Sequence, residues 1–175
     1  MVKVLKTEGI VLKKRSFFNQ DRLITVLTAD FGKINIFAKG IKKITSRRLP
    51  HTETGNYIKL VFHKKNENFY LKETSLISAF SKIKCSRSKI NCLYYIFFII
   101  EKLLPENQEE VYVYHQCKRF LVNLSEKEML KEKDFVLIIT KILRHLGYLN
   151  EELSLSALTS LVEEIIAEKV PALII

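Results

Sequence analysis

The chain has 175 residues, is 47% hydrophobic and carries a formal charge of +10 at neutral pH, which is enough apolar material for one domain of ordinary size or two small ones. Its longest apolar run, Leu93 to Ile100, stops at Glu101 and Lys102, well short of the roughly 20 residues a membrane-crossing helix needs. The first nine residues hold neither the apolar h-region nor the small-residue cleavage site of a signal peptide, so the expectation is a cytoplasmic protein with no membrane partner.

The charge is one-sided. Residues 1–84 hold 18 Lys and Arg against 6 Asp and Glu, whereas residues 85–175 hold 11 against 13. Clustered cations attract polyanions and release their counterions on contact, so the first half reads as a nucleic-acid-binding unit.

In chain order, the first strand is expected near Lys6 to Phe17, turning basic at Lys13, Lys14 and Arg15 and broken by Asn19-Gln20. A second runs from Asp21 to Thr28. Asp30-Phe31-Gly32 reads as a tight turn into a third, Lys33 to Lys39, where Ile34, Ile36 and Ala38 share one face and Lys33, Asn35, Phe37 and Lys39 the other. After a loop from Gly40 to Asn56 come a fourth strand, Tyr57 to His63, a polar turn and a fifth strand, Phe69 to about Ser75. Five short antiparallel strands with no helix-sized segment between them suggest a small barrel. Beyond Ser81 the period becomes helical: Ile90, Leu93, Phe97, Ile100 and Leu104 form one stripe that Pro105 ends, and Val111, Tyr114, Cys117, Leu121 and Leu124 form a second. A third helix is expected to start at a capping box, Ser125-x-x-Glu128, to bury Phe135, Ile138, Ile139, Ile142 and Leu146, and to stop at Gly147. Leu158, Leu161, Val162, Ile165 and Ile166 make a fourth. Tyr94, Tyr95, Phe97 and Phe98 sit inside an apolar run without interleaved cations and are read as bundle core. The fold class is therefore α+β: a nucleic-acid-binding barrel over residues 1–80, then an all-α domain over 81–175.

The segment from Lys39 to Arg48 places Lys39, Lys42, Lys43, Arg47 and Arg48 in ten residues with no acid. Its Gly, Thr and Ser suggest a flexible loop that brings backbone N–H groups and hydroxyls close to phosphates; a merely solvated basic loop is the plain alternative. Context favours binding, because the loop leaves a strand whose outer face pairs Lys33 and Lys39 with Phe37, the combination of a stacking ring and an electrostatic groove. Phe37 sealing the barrel against the helices is the other reading. No phosphate-binding P-loop, Gly-x-Gly-x-x-Gly turn, nucleophile elbow or His-Glu-x-x-His helix is present, so no catalytic residues and no cofactor are expected. Cys85, Cys92 and Cys117 are odd in number and form no Cys-x-x-Cys pair, so they read as reduced thiols and not as metal ligands.

Gly9-Ile-Val-Leu12, Arg15, Asp21-Arg-Leu23, Thr28, Gly32-Lys33, Ala38-Lys39-Gly40 and Ser46-Arg47 resemble, in order and spacing, the N-terminal domain of the RecO family of bacterial recombination and repair proteins. Phe135 through His145-Leu-Gly147-Tyr148 resembles the family's helical segment ending in Leu-Gly-Tyr. The resemblance implies an OB-type five-stranded barrel followed by a helical domain. It further implies a non-enzymatic mediator that binds single- and double-stranded DNA, anneals complementary strands, and works with the single-strand-binding protein and RecR to load RecA. On that basis Arg15, Arg22, Lys33, Phe37, Lys39, Lys42, Lys43, Arg47 and Arg48 are the expected DNA-binding residues. Arg119, Lys141 and Arg144 are the expected contacts for the acidic tail of a single-strand-binding protein. Three departures stand out. Asn19 replaces the acidic residue usual before the second strand, residues 150–175 lack the cysteines of the zinc module many members carry, and the chain stops early, on Ala172 to Ile175, which suggests a reduced helical domain or a terminal apolar patch for a partner. An RNA-binding OB module fits the composition equally well, and a protein-interaction adaptor is a third reading.

Overall fold

The computed structural model describes residues 3–17, 19–43 and 45–174. The chain divides into two compact units, Met1–Ala79 with Pro105–Val111, and Phe80–Leu104 with Tyr112–Ile175.

The first unit is a closed barrel of five strands, β1 (Val4–Ser16), β2 (Arg22–Thr28), β3 (Gly32–Ala38), β4 (Tyr57–Lys65) and β5 (Asn68–Ser78), in the order β1-β2-β3-β5-β4. Closure depends on the length of β1. Its first half pairs with β4 from Val4 opposite His63, and its second half pairs with β2 as far as Ser16 opposite Arg22. A register shift between Val11 and Lys13 supplies the extra residue that bends a strand from one pairing to the other. The strands are not all antiparallel, as the sequence suggested: β3 and β5 run parallel, Ile36 opposite Phe69 and Phe37 opposite Tyr70. The connection between β3 and β4 allows this, since residues 39–56 carry the chain away from β3 before β4 begins and leave β3's free edge for β5.

Alternation fills the interior. Ile24, Val26, Ile34, Ile36, Ala38, Ile58, Leu60, Phe62 and Leu71 form one buried cluster with Val11, and each large side chain contributes about 1.5–3 kcal/mol by leaving water. Phe31 and Phe69 each meet Phe62 edge-on, at 5.4 and 5.3 Å. Gly32 ends the β2–β3 turn at φ +63°, a conformation costly to any residue with a Cβ. Its bare Cα also lies against the Gln108 carbonyl, because the segment 105–111 runs along the start of β3. There the Asn107 N–H donates to the Lys33 carbonyl at 2.9 Å, and the Asn35 amide donates to Glu106 at 2.6 Å.

The second unit contains α1 (Ser81–Lys84), α2 (Arg87–Leu103), α3 (Val111–Glu126), α4 (Glu132–His145) and α5 (Leu155–Ile166). Ser86 and Ser154 cap α2 and α5 through their hydroxyls, which accept from Lys89 and Ala157 N–H groups. The core comes from Leu93, Phe97, Ile100, Cys117, Leu121, Phe135, Ile139, Ile142, Leu158 and Val162. Two expectations are corrected. Ser125 does not open a helix; it lies in the last turn of α3, where burial of Leu121 and Leu124 holds the backbone helical. The box sits six residues on, with the Lys131 N–H donating to the Asp134 carboxylate at 2.8 Å. Tyr94 is 50% exposed and is not bundle core, unlike Tyr95 and Phe97 at 2%. At the other end of α4, Gly147 takes φ +80° and Tyr148 N–H returns to the Leu143 carbonyl, the left-handed stop the sequence announces. Near the C-terminal end, Asn91 donates to the Ala172 carbonyl and accepts from Ile174 N–H; Ile175, the end of the expected apolar patch, lies outside the described residues. No helix among the described residues is long and apolar enough to cross a membrane.

Candidate nucleic-acid interface

The basic loop after β3 is built from tight turns. Gly40 N–H donates to the Asp21 carboxylate at 2.6 Å, Lys42 N–H to the Gln20 carbonyl, Lys43 N–H to Gly40 and Ser46 N–H to Lys43. These four amides are already bonded within the protein and are not open to phosphates. The same bonds tie the loop to the tip of the β1–β2 hairpin, where Asn19 adopts φ +57°. That conformation suits Asn among the non-glycine residues.

Of the nine expected DNA-binding residues, three are engaged by the protein itself. Arg22 has a side chain only 12% exposed and donates to Glu53 and to the Thr52 hydroxyl, both at 3.1 Å. Burial pushes the Glu53 carboxyl up, but the bonded Lys14 and Arg22 outweigh it and hold the group below its usual range. Arg48 donates to the carbonyls of Lys39, Leu71 and Lys72 at 3.0–3.2 Å, stapling the loop to β5. Lys33, expected on an exposed basic face, is 7% exposed because the 105–111 segment covers that end of β3. The alternation that assigned it outward was right about the face and blind to what lay over it.

The remaining five cations are exposed or half-buried. Arg15 is exposed at the end of β1, Lys39 at the end of β3, and Lys43 and Arg47 in the loop, with Lys42 half-buried beside them. Among the described residues none of the five has a carboxylate partner. Phe37 is half-buried, and its neighbours are aromatic: Tyr70 lies near-parallel to it at 5.7 Å and Phe17 meets it edge-on at 5.5 Å. His63 in turn lies near-parallel to Tyr70 at 5.6 Å, and Lys39 Nζ is 4.8 Å from the Tyr70 ring centroid. A shallow concavity is lined by Phe37, Lys39, His63, Lys65 and Tyr70. Sequence reasoning missed Tyr70, His63 and Lys65. The signal lies in pairing register, since Tyr70 is opposite Phe37 only because β3 and β5 are parallel.

In the helical unit, Arg119 and Lys141 line one depression with Phe120, Leu137 and Ile138. Arg144 is not among its lining residues and donates to the Glu151 carbonyl at 3.3 Å. Asp134 also borders the depression. Burial raises its carboxyl, but the hydrogen bonds from Lys127 and Lys131 N–H prevail and hold it low, with its charge matched by Lys127 at 2.7 Å. Among the described residues no three His, Cys, Asp or Glu side chains group closely enough to hold a metal ion.

Residues 1–80 match the family described as recombination protein O, N-terminal. Curated relatives named DNA repair protein RecO include one from Thermoanaerobacter sp. (strain X514), 30% identical over 131 residues, or 73% of this chain and 52% of the relative. One from Caldanaerobacter subterraneus is 28% identical over 154 residues, 85% of this chain and 60% of the relative. One from Listeria monocytogenes is 28% identical over 121 residues, 69% and 48%. The chain thus spans about half the length of the relatives it matches.

Proposed function

Because the chain belongs to the RecO family of DNA repair proteins, we propose that it acts as a recombination mediator: it binds single- and double-stranded DNA, anneals complementary strands, and helps load RecA onto single strands covered by the single-strand-binding protein, in concert with RecR. The observation that carries this reading is the group of cations without carboxylate partners among the described residues, Arg15, Lys39, Lys42, Lys43 and Arg47, on a closed five-stranded barrel of the kind that binds oligonucleotides. Two phosphate backbones repel each other, and a surface that neutralises both lowers the barrier to their meeting. No chemical step is required.

The helical depression suits an acidic, apolar peptide end. Arg119 and Lys141 supply charge, Phe120, Leu137 and Ile138 supply apolar contact, and Asp134 is already neutralised by Lys127. This supports docking of the acidic tail of a single-strand-binding protein there, with Arg144 outside the contact. The test is strand annealing by the purified chain across a range of salt, with bare DNA and with DNA covered by the cognate single-strand-binding protein. The reading expects salt-sensitive acceleration on both, and loss on covered DNA alone when Lys141 is replaced by Glu. Absence of acceleration on bare DNA at low salt overturns it.

A further inference from the structure

One register row crosses the barrel wall. Arg15 faces Leu23, Leu23 faces Phe37, Phe37 faces Tyr70, and Tyr70 faces His63. Residues that face one another across strands share a side of the sheet, and the alternates Ile24, Ile36, Leu71 and Phe62 are in the buried cluster, so this row lies on the outer surface. Three of its five members are rings, and the barrel does not need them for its core, where Phe31, Phe62 and Phe69 already pack together. The His63 ring lies near-parallel to Tyr70 at 5.6 Å, and its Nδ1 is buried without a hydrogen-bond partner among the described residues. Cations flank the rings on opposite sides, Lys39 two residues beyond Phe37 and Lys65 two beyond His63, and both border the same concavity.

We propose that Phe37, Tyr70 and His63 form a stacking row for the unpaired bases of a single strand, with Lys39 and Lys65 meeting its phosphates. This deepens the DNA-binding reading and rests on it. Strands about 4.8 Å apart put three rings across roughly 10 Å, and aromatic rows of this kind on a sheet take about two or three bases. Every base has a π face, so the site tolerates any sequence. A duplex hides those faces in its own stack, so the row distinguishes single strands from duplex where phosphate contacts do not. Stacking also engages base faces and leaves the pairing edges available to a second strand. Once pairing rebuilds the duplex stack, the bases leave the rings, and the surface releases its product while still gripping unpaired substrate.

The chain contains no Trp, so Tyr70→Trp places a single indole in the row and reports on it directly. The experiment titrates this variant and the unaltered chain with a fluorescently labelled oligo-dT strand and with a mixed-sequence duplex of equal length. The indole emission should be quenched by the single strand and hardly changed by duplex at equal saturation. A Phe37→Leu/Tyr70→Leu chain, checked for unchanged melting, should lose at least about fivefold in single-strand affinity, keep its duplex affinity within twofold, and keep its salt slope because every cation remains. Unquenched emission at saturation, or equal losses for both DNA forms, overturns the stacking row while leaving the charge-based reading intact. If the unaltered chain binds neither form, the DNA-binding reading falls and the row falls with it.

Discussion

The sharpest separation the structure makes is between Arg48 and its neighbours Lys42, Lys43 and Arg47, four cations a sequence cannot tell apart. Replacing Lys42, Lys43 and Arg47 together by Ala removes three candidate phosphate contacts. At roughly 0.7 per contact on a single strand, the log–log salt slope should flatten by about 2, so between 50 and 200 mM salt the variant loses about 15-fold less affinity than the parent does. Melting should barely move, because none of the three has a carboxylate partner among the described residues. Arg48→Ala should do the reverse. Its guanidinium holds three carbonyls, at 3.0, 3.1 and 3.2 Å, and hydrogen bonds to charged groups are worth about 1.5–3 kcal/mol each when shielded. Two of these three are exposed, so a total near 2 kcal/mol is reasonable, equal to a fall of roughly 4–8 °C in Tm. Fluorescence anisotropy across salt and a thermal melt read both quantities. If Arg48→Ala flattens the slope as much as any single lysine and leaves Tm alone, the staple is incidental and Arg48 meets DNA. If the triple variant keeps its slope, the strand lies elsewhere on the protein.

Gly32→Ala should destabilise the barrel by at least about 2 kcal/mol in urea unfolding, since it adds a left-handed penalty of roughly 1–2 kcal/mol to overlap with the Gln108 carbonyl; an unchanged midpoint would show that the 105–111 segment is not seated there. Glu53 is held below its ordinary value of 4.5, so its contribution is complete above that pH and disappears as pH falls through the lower folded value. Glu53→Gln should therefore lower stability at pH 7 and narrow its gap to the parent below about pH 4, and a gap constant with pH would refute the pairing with Lys14 and Arg22. A thiol reagent should titrate Cys85 quickly in the native protein and reach Cys92 and Cys117 only on unfolding, because these are 4% and 0% exposed and burial raises both thiols. More than one fast equivalent would contradict the packing around α2 and α3.

Strand and helix content was legible because period encodes it. Ile34, Ile36 and Ala38 turned inward as their alternation requires, and Phe135, Ile138, Ile139 and Ile142 are buried as helical spacing requires, while Leu146 is only half-buried and Leu143 takes its place in the core. Three matters were not legible, each for a physical reason. Pairing partners are long-range, so nothing near Phe37 in sequence announces Tyr70, 33 positions away. A cap is a contest between local hydrogen bonding and tertiary burial, and at Ser125 burial on α3 won. A basic residue's role depends on what lies within reach of its tip. Arg22 and Arg47 are equally cationic, yet one is pinned to Glu53 and Thr52 and the other is exposed.

That last point changes what the charge of the first half means. The stretch 1–84 carries 18 cations against 6 acids, but the folded barrel unit also takes in Glu106, Glu109 and Glu110 and leaves Lys82 and Lys84 to the other unit, so it holds 16 against 9. Lys14 and Arg22 share Glu53, Lys59 faces Glu8 and Lys64 faces Glu67, while Lys33 and Arg48 serve the interior and the loop. A uniform polycation would bind duplex at least as well as single strands, because a duplex offers the denser array of phosphates. In the proposed reading, a barrel with Arg15, Lys39, Lys42, Lys43, Arg47 and Lys65 around a row of rings does otherwise. With Lys65 included, six candidate contacts give a slope of only about 4 on a single strand, so in the proposed reading bound DNA still exchanges at moderate salt and selectivity for unpaired DNA comes from the bases. Annealing needs both properties: a grip weak enough in charge to let two strands slide into register, and a preference that vanishes once they have paired.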